Sequence, residues 1–534
     1  MLSRRTFLKL SAAAGSIELL KPLHAFGARY QTSSGFFGLH PFVEAHPEAV
    51  FIMRTQVDVK TNSEAKKQAG IDFARTVMVP KKDKGIPLTY KIPIKPNLTC
   101  AETSNLKYTD EYRMGVNTDG YFIEGVIEGM KELGFSGKQF YIREVNCPND
   151  WKAQGFIAMA ERTGAELKDM SAPVGEIGSE NLNWIDVPNG VIHRKIPYLW
   201  PINTPDSWLL NISKFKAHGM GITLCCKNHQ GSIAHHYQQF CGLSGALKKL
   251  DKKYLGPDVY NAIEKNYQRH VAQGIPRWDR SDRSGGGLWM DIWATRTIDN
   301  LSASPMGLCV IEGIYGRDGN GFNNGPHPDG TVMDFMSNVI IFGKDPFRTD
   351  IIGHWIGGHE PGNFGLFHLA MERGLLNVLD PRIIPVYEWQ NDSAIFKPLE
   401  NFERTPLVTY YLRKNYNNMD EPQYHLVNEP FDYTKVKQEK TPLPKSPGSR
   451  VLYQNIPNAA YPYVCIAYDM PRKQQVRIEL LNGRKEVLKV LVDSTCEPGF
   501  HMVGWNIADA TSGTYFYRFR TGDFSETNPI KLGI

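Results

Sequence analysis

Between about residue 88 and residue 380, short apolar runs alternate with helix-length amphipathic segments. Residues 90–94 and 139–145 are predicted strands, and residues 120–133 between them form a predicted helix with apolar side chains along one face. The same strand pattern returns at residues 207–212, 306–311 and 338–342. Such a β-α-β alternation is typical of a mostly parallel, open sheet with helices on both faces. The sequence therefore predicts an α/β domain.

The chain changes character near its end. Residues 436–450 combine prolines, a glycine and repeated lysines, which is the composition of a linker. Residues 451–534 then contain short apolar strands separated by turn dipeptides such as Asn482-Gly483. This pattern predicts a C-terminal β-sandwich behind an α/β domain, with insertions, over residues 26–435.

Four motifs in this tail resemble the flagellar hook-cap-like immunoglobulin-type domain. They follow one another in the family's order at residues 454–458, 481–484, 499–506 and 512–517. The resemblance implies an immunoglobulin-like β-sandwich, a module also found at the end of type IX secretion cargo. Because the last residues have little basic character, we interpret the module as an accessory domain rather than a sorting signal.

The N-terminus has the features of a processed segment. Arg4 and Arg5 are followed by a lysine and by a mildly apolar stretch at residues 10–20. This pattern resembles the twin-arginine export signal. The resemblance implies that residues 1–25 are a signal peptide and that the mature protein is periplasmic or extracellular. The route carries folded proteins, which favours insertion of any cofactor before export.

Charge and motif content exclude several function classes. The chain of 534 residues has a formal net charge of +5, and residues 1–25 hold four basic residues against one acidic residue. The residues after the predicted signal peptide are therefore almost balanced in charge, which gives no reason to expect a nucleic acid partner. Beyond the N-terminus no apolar run reaches the roughly 18 residues that span a bilayer. The sequence also lacks C-x-x-C, phosphate-loop, dinucleotide-binding and serine-hydrolase motifs.

Polar side chains follow the ends of five predicted strands, directly or after a helix predicted at residues 219–226. The predicted catalytic residues among them are Glu144, Lys214, His218 and Asp345. The predicted ligand-binding residues are Lys95, Asn97, Lys216, Lys227, Asn228 and Asp350. The carboxyl ends of parallel strands share one edge of a sheet, so we expect one cleft that binds a small anionic molecule, a metal, or both. For each residue taken singly, a solvated strand end is the alternative.

Histidine and cysteine side chains suggest candidate metal ligands. Cys225 and His229 are four residues apart, so on a helix they would share a face and could bind a soft or borderline metal. His354 and His359 form a second candidate group. A buried core cysteine and a structural histidine are the alternatives, because no established zinc spacing is present. The sequence does not identify a cofactor, and a divalent metal or iron is the hypothesis these ligand types allow.

The α/β region resembles the DUF362 family. The resemblance depends on Lys95-Pro96-Asn97, Glu144, Lys214-Phe215-Lys216-Ala217-His218, Lys227-Asn228, and Asp345-Pro346 with Asp350. It covers roughly residues 90–380. The family has no settled activity, and many members carry an iron–sulfur ferredoxin module that this sequence lacks. A redox role is therefore not transferred by the resemblance.

Two functional hypotheses stay open at this point. The first is an exported enzyme, with a metal or other cofactor, that acts on a small anionic substrate in the strand-end cleft. The second is a non-catalytic carrier of a ligand or cofactor whose β-sandwich docks it to a cell-surface or protein partner.

Overall fold

The computed structural model describes residues 35–532, with gaps at residues 82–83, 99–113, 146–150, 153, 171, 173–174, 219–220, 235–257, 277–285, 319–332, 391–392, 408–429, 439–450, 453–455, 459–462, 498, 507–509 and 523. The predicted signal peptide, residues 1–25, and most of the predicted linker, residues 436–450, lie outside the described residues. Both assignments stay predictions.

The α-helices of the described chain all lie in its first 372 residues. They are α1 (Pro41–Ala45), α2 (Ser63–Val77), α3 (Gly120–Lys131), α4 (Phe156–Thr163), α5 (Cys225–Asn228), α6 (Val259–Ala272), α7 (Gly286–Ser302), α8 (Pro346–Ile356) and α9 (Gly365–Glu372). The helix predicted at residues 120–133 is confirmed as α3, which begins after Asp119 because that carboxylate accepts hydrogen bonds from the first-turn amides. No helix among the described residues is both long and apolar enough to cross a bilayer.

The α/β region contains the first sixteen strands of the described chain. They are β1 (Phe36–Leu39), β2 (Val50–Arg54), β3 (Met78–Lys81), β4 (Ile86–Pro87), β5 (Ile92–Pro96), β6 (Phe140–Ile142), β7 (Glu166–Leu167), β8 (Leu182–Asp186), β9 (Lys195–Leu199), β10 (Leu210–Lys214), β11 (Lys216–His218), β12 (Gly221–Thr223), β13 (Leu308–Arg317), β14 (Asp334–Gly343), β15 (Val386–Gln390) and β16 (Ser393–Phe396). Each of the five strands predicted for this region overlaps an observed strand.

The central sheet has the order β16-β15-β2-β14-β13-β10-β5-β6-β7. Strands β13, β10, β5, β6 and β7 run parallel to their neighbours in this series. The unit β5-α3-β6 is the predicted β-α-β crossover. The expectation of a mixed α/β domain with a mostly parallel sheet is therefore confirmed.

Helices cover both faces of this sheet. One core contains Ile94 and Ile212 and packs beneath α2 and α3. The other contains Cys309 and Ile311 and packs against α5, α7, α8 and α9. Successive side chains of a strand point to opposite faces, and β2, β13, β14 and β15 contribute to both cores, whereas β5 and β10 contribute to the first core only.

Strand β14 differs from its predicted orientation. It runs antiparallel to β13, with Gly343 opposite Cys309 at the start of that strand. Its end therefore lies at the opposite edge of the sheet from the ends of β5, β6, β10 and β13. Asp345 follows this end and caps α8, accepting hydrogen bonds from the amides of Phe347 and Arg348 at 2.8 and 3.0 Å. The prediction that Asp345 reaches the strand-end cleft is wrong, because strand direction is not encoded in an apolar run.

The C-terminal region contains only strands among its described residues. They are β17 (Val451–Leu452), β18 (Ile456–Asn458), β19 (Tyr463–Met470), β20 (Gln474–Leu481), β21 (Val487–Cys496), β22 (Gly499–Asn506), β23 (Gly513–Thr521) and β24 (Phe524–Leu532). They form two antiparallel sheets, one around β19 and one with the order β21-β20-β23-β24. One apolar core includes side chains from both sheets, which is compatible with a β-sandwich. Strand β22 also lies beside β16, the edge strand of the central sheet.

Candidate functional site

Lys95, near the end of β5, and Glu144, just beyond the end of the neighbouring strand β6, form a buried ion pair. The Lys95 ammonium donates hydrogen bonds to a Glu144 carboxylate oxygen, to Asn228 Oδ1 at 3.0 Å and to the Pro96 carbonyl oxygen at 2.5 Å. An ammonium group has three N–H donors. Protein acceptors therefore use all the donors of Lys95, which indicates that this residue orients Glu144 and Asn228 rather than binding a ligand directly.

Burial changes the ionisation of this pair. It raises the pKa of Glu144 to about 7, although Lys95 and the amides of Leu98 and Val145 favour the carboxylate. It also lowers the pKa of Lys95. A carboxyl group with a pKa near neutrality suits acid–base chemistry. The predicted catalytic role of Glu144 is thus chemically reasonable and stays a prediction.

Asn228 ties α5 to the central sheet. Its Nδ2 group donates to the Lys95 carbonyl oxygen at 3.0 Å and to Asn211 Oδ1 at 2.7 Å. The Asn211 amide in turn donates to the Cys225 carbonyl oxygen at 3.0 Å. These bonds hold α5, the helix that carries Lys227, against β5 and β10.

Lys214 lies on the opposite face of the sheet from Lys95. The register pairs Asn211 of β10 with Lys95, and side chains alternate, so Asn211 faces α5 whereas Lys214 faces α2 and α3. Lys214 Nζ donates to Glu312 Oε2 at 2.7 Å and lies 3.5 Å from the centroid of the Tyr315 ring. The expectation that all the strand-end residues line one cleft is therefore wrong.

The cluster around Lys214 is a balanced charge network. Asp119 accepts hydrogen bonds from Lys66 Nζ at 2.7 Å and from the Tyr315 hydroxyl at 2.5 Å, while its amide donates to Glu312 at 3.2 Å. Burial acts to raise the pKa of Asp119, but the charges of Lys66 and Lys214 outweigh it and hold that pKa below its usual value. Two ammonium groups face two carboxylates, which favours a structural role. The sequence analysis missed Asp119, although an aspartate directly before a predicted helix is a capping signal.

Residues 219–226 do not form the predicted helix. β11 and β12 pair as an antiparallel hairpin, with Lys216 opposite Thr223 and His218 opposite Gly221. Gly221 has a φ of +108°, a conformation that favours glycine. The hairpin buries both basic side chains, of which Lys216 is 0% and His218 8% exposed.

The hairpin and α5 together bring basic side chains into one region. Burial lowers the pKa of Lys216, and the nearby positive charges of Lys227, Arg317 and Lys214 lower it further. Burial likewise lowers the pKa of His218, with additional contributions from Lys227 and Lys216. Lys227 is therefore near both hairpin residues, and it also lowers the pKa of Lys95. Burial favours the neutral forms of Lys216 and His218, whereas Lys227 is only half-buried and is the basic residue of this group that an anionic ligand would meet.

Asp350 anchors the beginning of α5. Its carboxylate oxygens accept hydrogen bonds from the amides of Cys225 and Cys226, each at 2.8 Å. Burial nevertheless raises the pKa of Asp350 to about 7. The carboxyl group is thus held in one orientation and can change protonation state near neutral pH.

A small pocket lies beside α5. Its lining combines three polar side chains with an apolar wall, namely Lys227, Asp350 and His354 with Ile222, Trp293, Phe364, Leu366 and Phe367. The five wall residues belong to the apolar core that packs against α5, α7, α8 and α9. The sequence analysis identified the three polar residues but not the wall.

The four candidate metal ligands have separate surroundings. Cys225 Sγ lies 3.4 Å from Ser213 Oγ, whereas His229 Nδ1 lies 2.9 Å from Ser232 Oγ. His354 Nδ1 lies 2.8 Å from the Asp350 carbonyl oxygen, and His359 Nε2 lies 2.6 Å from the Leu407 carbonyl oxygen. Burial lowers the pKa of His354 to about 4 and those of His229 and His359 to about 3. Within the described part of the chain, no three His, Cys, Asp or Glu residues are grouped so that they could hold a metal.

Asn97, another predicted ligand-binding residue, is 5% exposed beyond the end of β5. Its backbone amide donates a hydrogen bond to Thr118 Oγ1 at 2.8 Å. Its side-chain Oδ1 is buried and has no hydrogen-bond partner among the described residues. The structure therefore leaves the predicted ligand contact of Asn97 open.

Residues 92–354 match the family model described as a domain of unknown function, DUF362. The matched segment contains β5, β6, β10 and β13, and it includes Lys227, Asp350 and His354 of the pocket. The search of curated proteins finds no match.

Proposed function

With the α/β region supported as a member of the DUF362 family, we propose that this protein is an enzyme that binds a small anionic substrate in the pocket beside α5. Lys227 attracts the anionic group, and Asp350 transfers a proton to or from the bound molecule. The observation that carries the proposal is the presence of these two side chains, with His354, in one pocket that has an apolar wall.

The positive side of the pocket supports anion binding. Lys227 belongs to a local group of basic residues that includes Lys216 and His218, which are both buried residues of the β11–β12 hairpin. An ammonium group that lies near other basic side chains attracts an anion.

Asp350 has the properties that proton transfer requires. Burial raises its pKa to about 7, so both protonation states are populated near neutral pH. The two amides at the start of α5 hold its carboxyl group in a fixed direction. His354 complements it, because burial lowers the pKa of His354 to about 4 and keeps the imidazole neutral at pH 7.

The test uses the mature full-length protein and a panel of small carboxylates, phosphates and sulfonates, with binding and consumption both followed by NMR. We expect at least one class to bind. Lys227→Gln should weaken that binding at least tenfold, and Asp350→Asn should retain binding but lose conversion. Asp186→Asn is the matched control, because it makes the same change of charge at an exposed residue of β8.

The outcomes separate the candidate roles. Full conversion by Asp350→Asn, or the same loss of conversion in Asp186→Asn as in Asp350→Asn, would show that the proton-transfer assignment is wrong. Binding without any conversion by the wild-type protein would favour the carrier hypothesis. Elemental analysis of protein purified after native export tests the separate hypothesis of a bound divalent metal or iron.

A further inference from the structure

Strand β21 forms one edge of a sheet in the C-terminal region. Among the described strands it pairs only with β20, so one side of its backbone faces away from the sheet. The strand is ten residues long and contains no proline. A long edge of this kind offers a row of N–H and C=O groups with which a further strand can pair.

The first half of β21 also exposes apolar side chains. Val487 is 48%, Leu488 52% and Val490 38% exposed, and the first two are the most exposed large apolar side chains of the described residues. Two register shifts against β20 lie in this half of the strand, and such irregularities redirect side chains away from a core. The edge therefore has apolar surface that a partner strand can cover.

The charged residues along β21 and at its two ends follow a self-complementary order. Lys485 and Lys489 precede Leu491 at intervals that are multiples of two residues. Asp493 and Glu497 follow it at the same intervals. Two antiparallel copies of the strand that are centred on Leu491 therefore place Lys489 opposite Asp493. The same pairing places Lys485 opposite Glu497, and two-fold symmetry produces each match twice.

Other centres of pairing lose this match. A centre at Lys489 or at Asp493 places two like charges opposite each other. A centre at Val490 or at Val492 places Asp493 opposite an apolar residue. Opposite charges across a strand pair are favourable, whereas like charges are unfavourable. The charges thus select pairing about Leu491.

The acidic residues remain accessible to a second lysine. Asp493 pairs with Arg477 of β20, and both side chains are partly exposed. Glu497 pairs with Lys473, and both of these side chains are more than half exposed. Exposed ion pairs of this kind contribute little to stability, and a carboxylate can accept hydrogen bonds from more than one donor. Neither pair therefore prevents contact with another chain.

We infer that two copies of this protein associate through β21, paired as antiparallel strands centred on Leu491. The pairing joins the β21-β20-β23-β24 sheets of the two chains into one continuous sheet. It gives partners to the backbone groups at the edge and covers part of the exposed apolar surface. The surface belongs to the C-terminal region, so the inference is independent of the function proposed for the pocket beside α5.

The experiment is sedimentation equilibrium of the mature full-length protein from about 1 to 100 μM, where we expect a concentration-dependent dimer. Lys489→Asp places two acidic residues opposite each other, and Asp493→Lys places two lysines opposite each other. Each change should weaken self-association at least about tenfold. The double variant Lys489→Asp, Asp493→Lys restores opposite charges and should recover the dimer. Lys138→Asp, at an exposed lysine of the α/β region, is the matched control and should leave association unchanged.

A second variant tests the apolar contact without a change of charge. Leu488→Gln should weaken the dimer, because it replaces an exposed apolar side chain of β21 with a polar one. Val59→Gln makes a similar change at a side chain that is 45% exposed in the α/β region, and it should have no effect. Thermal melting curves of all variants show whether each protein remains folded.

The outcomes decide between this interface and others. A wild-type protein that stays monomeric over the whole concentration range would overturn the inference. A dimer that is equally stable in folded Lys489→Asp and Asp493→Lys proteins would show that the chains associate elsewhere, which would also overturn it. Weakened single variants without recovery in a folded double variant would refute pairing about Leu491.

Discussion

Lys95→Met tests the most strongly buried ion pair of the candidate site. The substitution keeps the length of the side chain but removes the charge that Glu144 faces. Lys95 is 0% and Glu144 4% exposed, so little water can replace the lost partner. Removing one member of a buried pair costs about 3–5 kcal/mol of folding free energy. The lost hydrogen bonds to Asn228 and Pro96 are part of that cost.

The cost should depend on pH. Burial already raises the pKa of Glu144 to about 7, although Lys95 opposes this change. Without Lys95 the folded-state pKa is higher still, and it lies further above the unfolded value. The folded variant therefore binds a proton that the unfolded chain releases, so its stability falls as pH rises from the unfolded pKa of Glu144 through the folded one. We expect a loss of about 3–5 kcal/mol at pH 8 and a clearly smaller loss at pH 5.5.

The assay is urea-induced unfolding followed by circular dichroism at both pH values. Lys138→Met, at an exposed lysine, is the control for a simple change of net charge. The double variant Lys95→Met, Glu144→Leu should recover at least about 2 kcal/mol relative to the sum of the single changes, because neither charge is then buried alone. Additive losses, or the same loss for Lys95→Met at pH 5.5 and pH 8, would refute the buried-pair argument.

Four further predictions concern other parts of the chain. Gly231→Ala should lower the unfolding free energy by about 1–3 kcal/mol in urea titrations, since the new Cβ would lie 2.0 Å from a carboxylate oxygen of the buried pair. Burial opposes the charged form of His270, but its two carboxylate partners outweigh burial and raise its pKa to about 9. Its contribution to stability should therefore be complete below about pH 6.5 and lost as pH rises through 9, and melting curves of His270→Gln should lack this pH dependence. Replacing Arg4 and Arg5 with lysine should retain folded precursor in the cytoplasm, and normal export in a fractionation assay would contradict the signal assignment. Deletion after Arg450 should leave the main melting transition in place with a small decrease, because it uncovers the edge strand beside β22.

The apolar pattern by itself determined the α/β class and the β5-α3-β6 unit. A 3.6-residue period and flanking apolar runs distinguish a crossover helix from its strands without any knowledge of tertiary contacts. The same reasoning predicted that Lys95 and Glu144 meet, since both follow adjacent parallel strands whose ends share one edge. Lys227 and Asp350 were also identified as polar residues near such ends.

Tertiary structure alone decided which of these residues share a site. Lys214 lies at a strand end as Lys95 does, yet the pairing register and the two-residue period of a strand place its side chain on the other face of the sheet. Asp345 follows a strand whose direction is antiparallel, a property set by the connection and not by its apolar residues. Asp350 reaches the start of α5 across a separation of 125 residues. A local pattern determines the type and face of an element, but direction, register and long-range capping depend on which elements pack together, and these three features created the pocket.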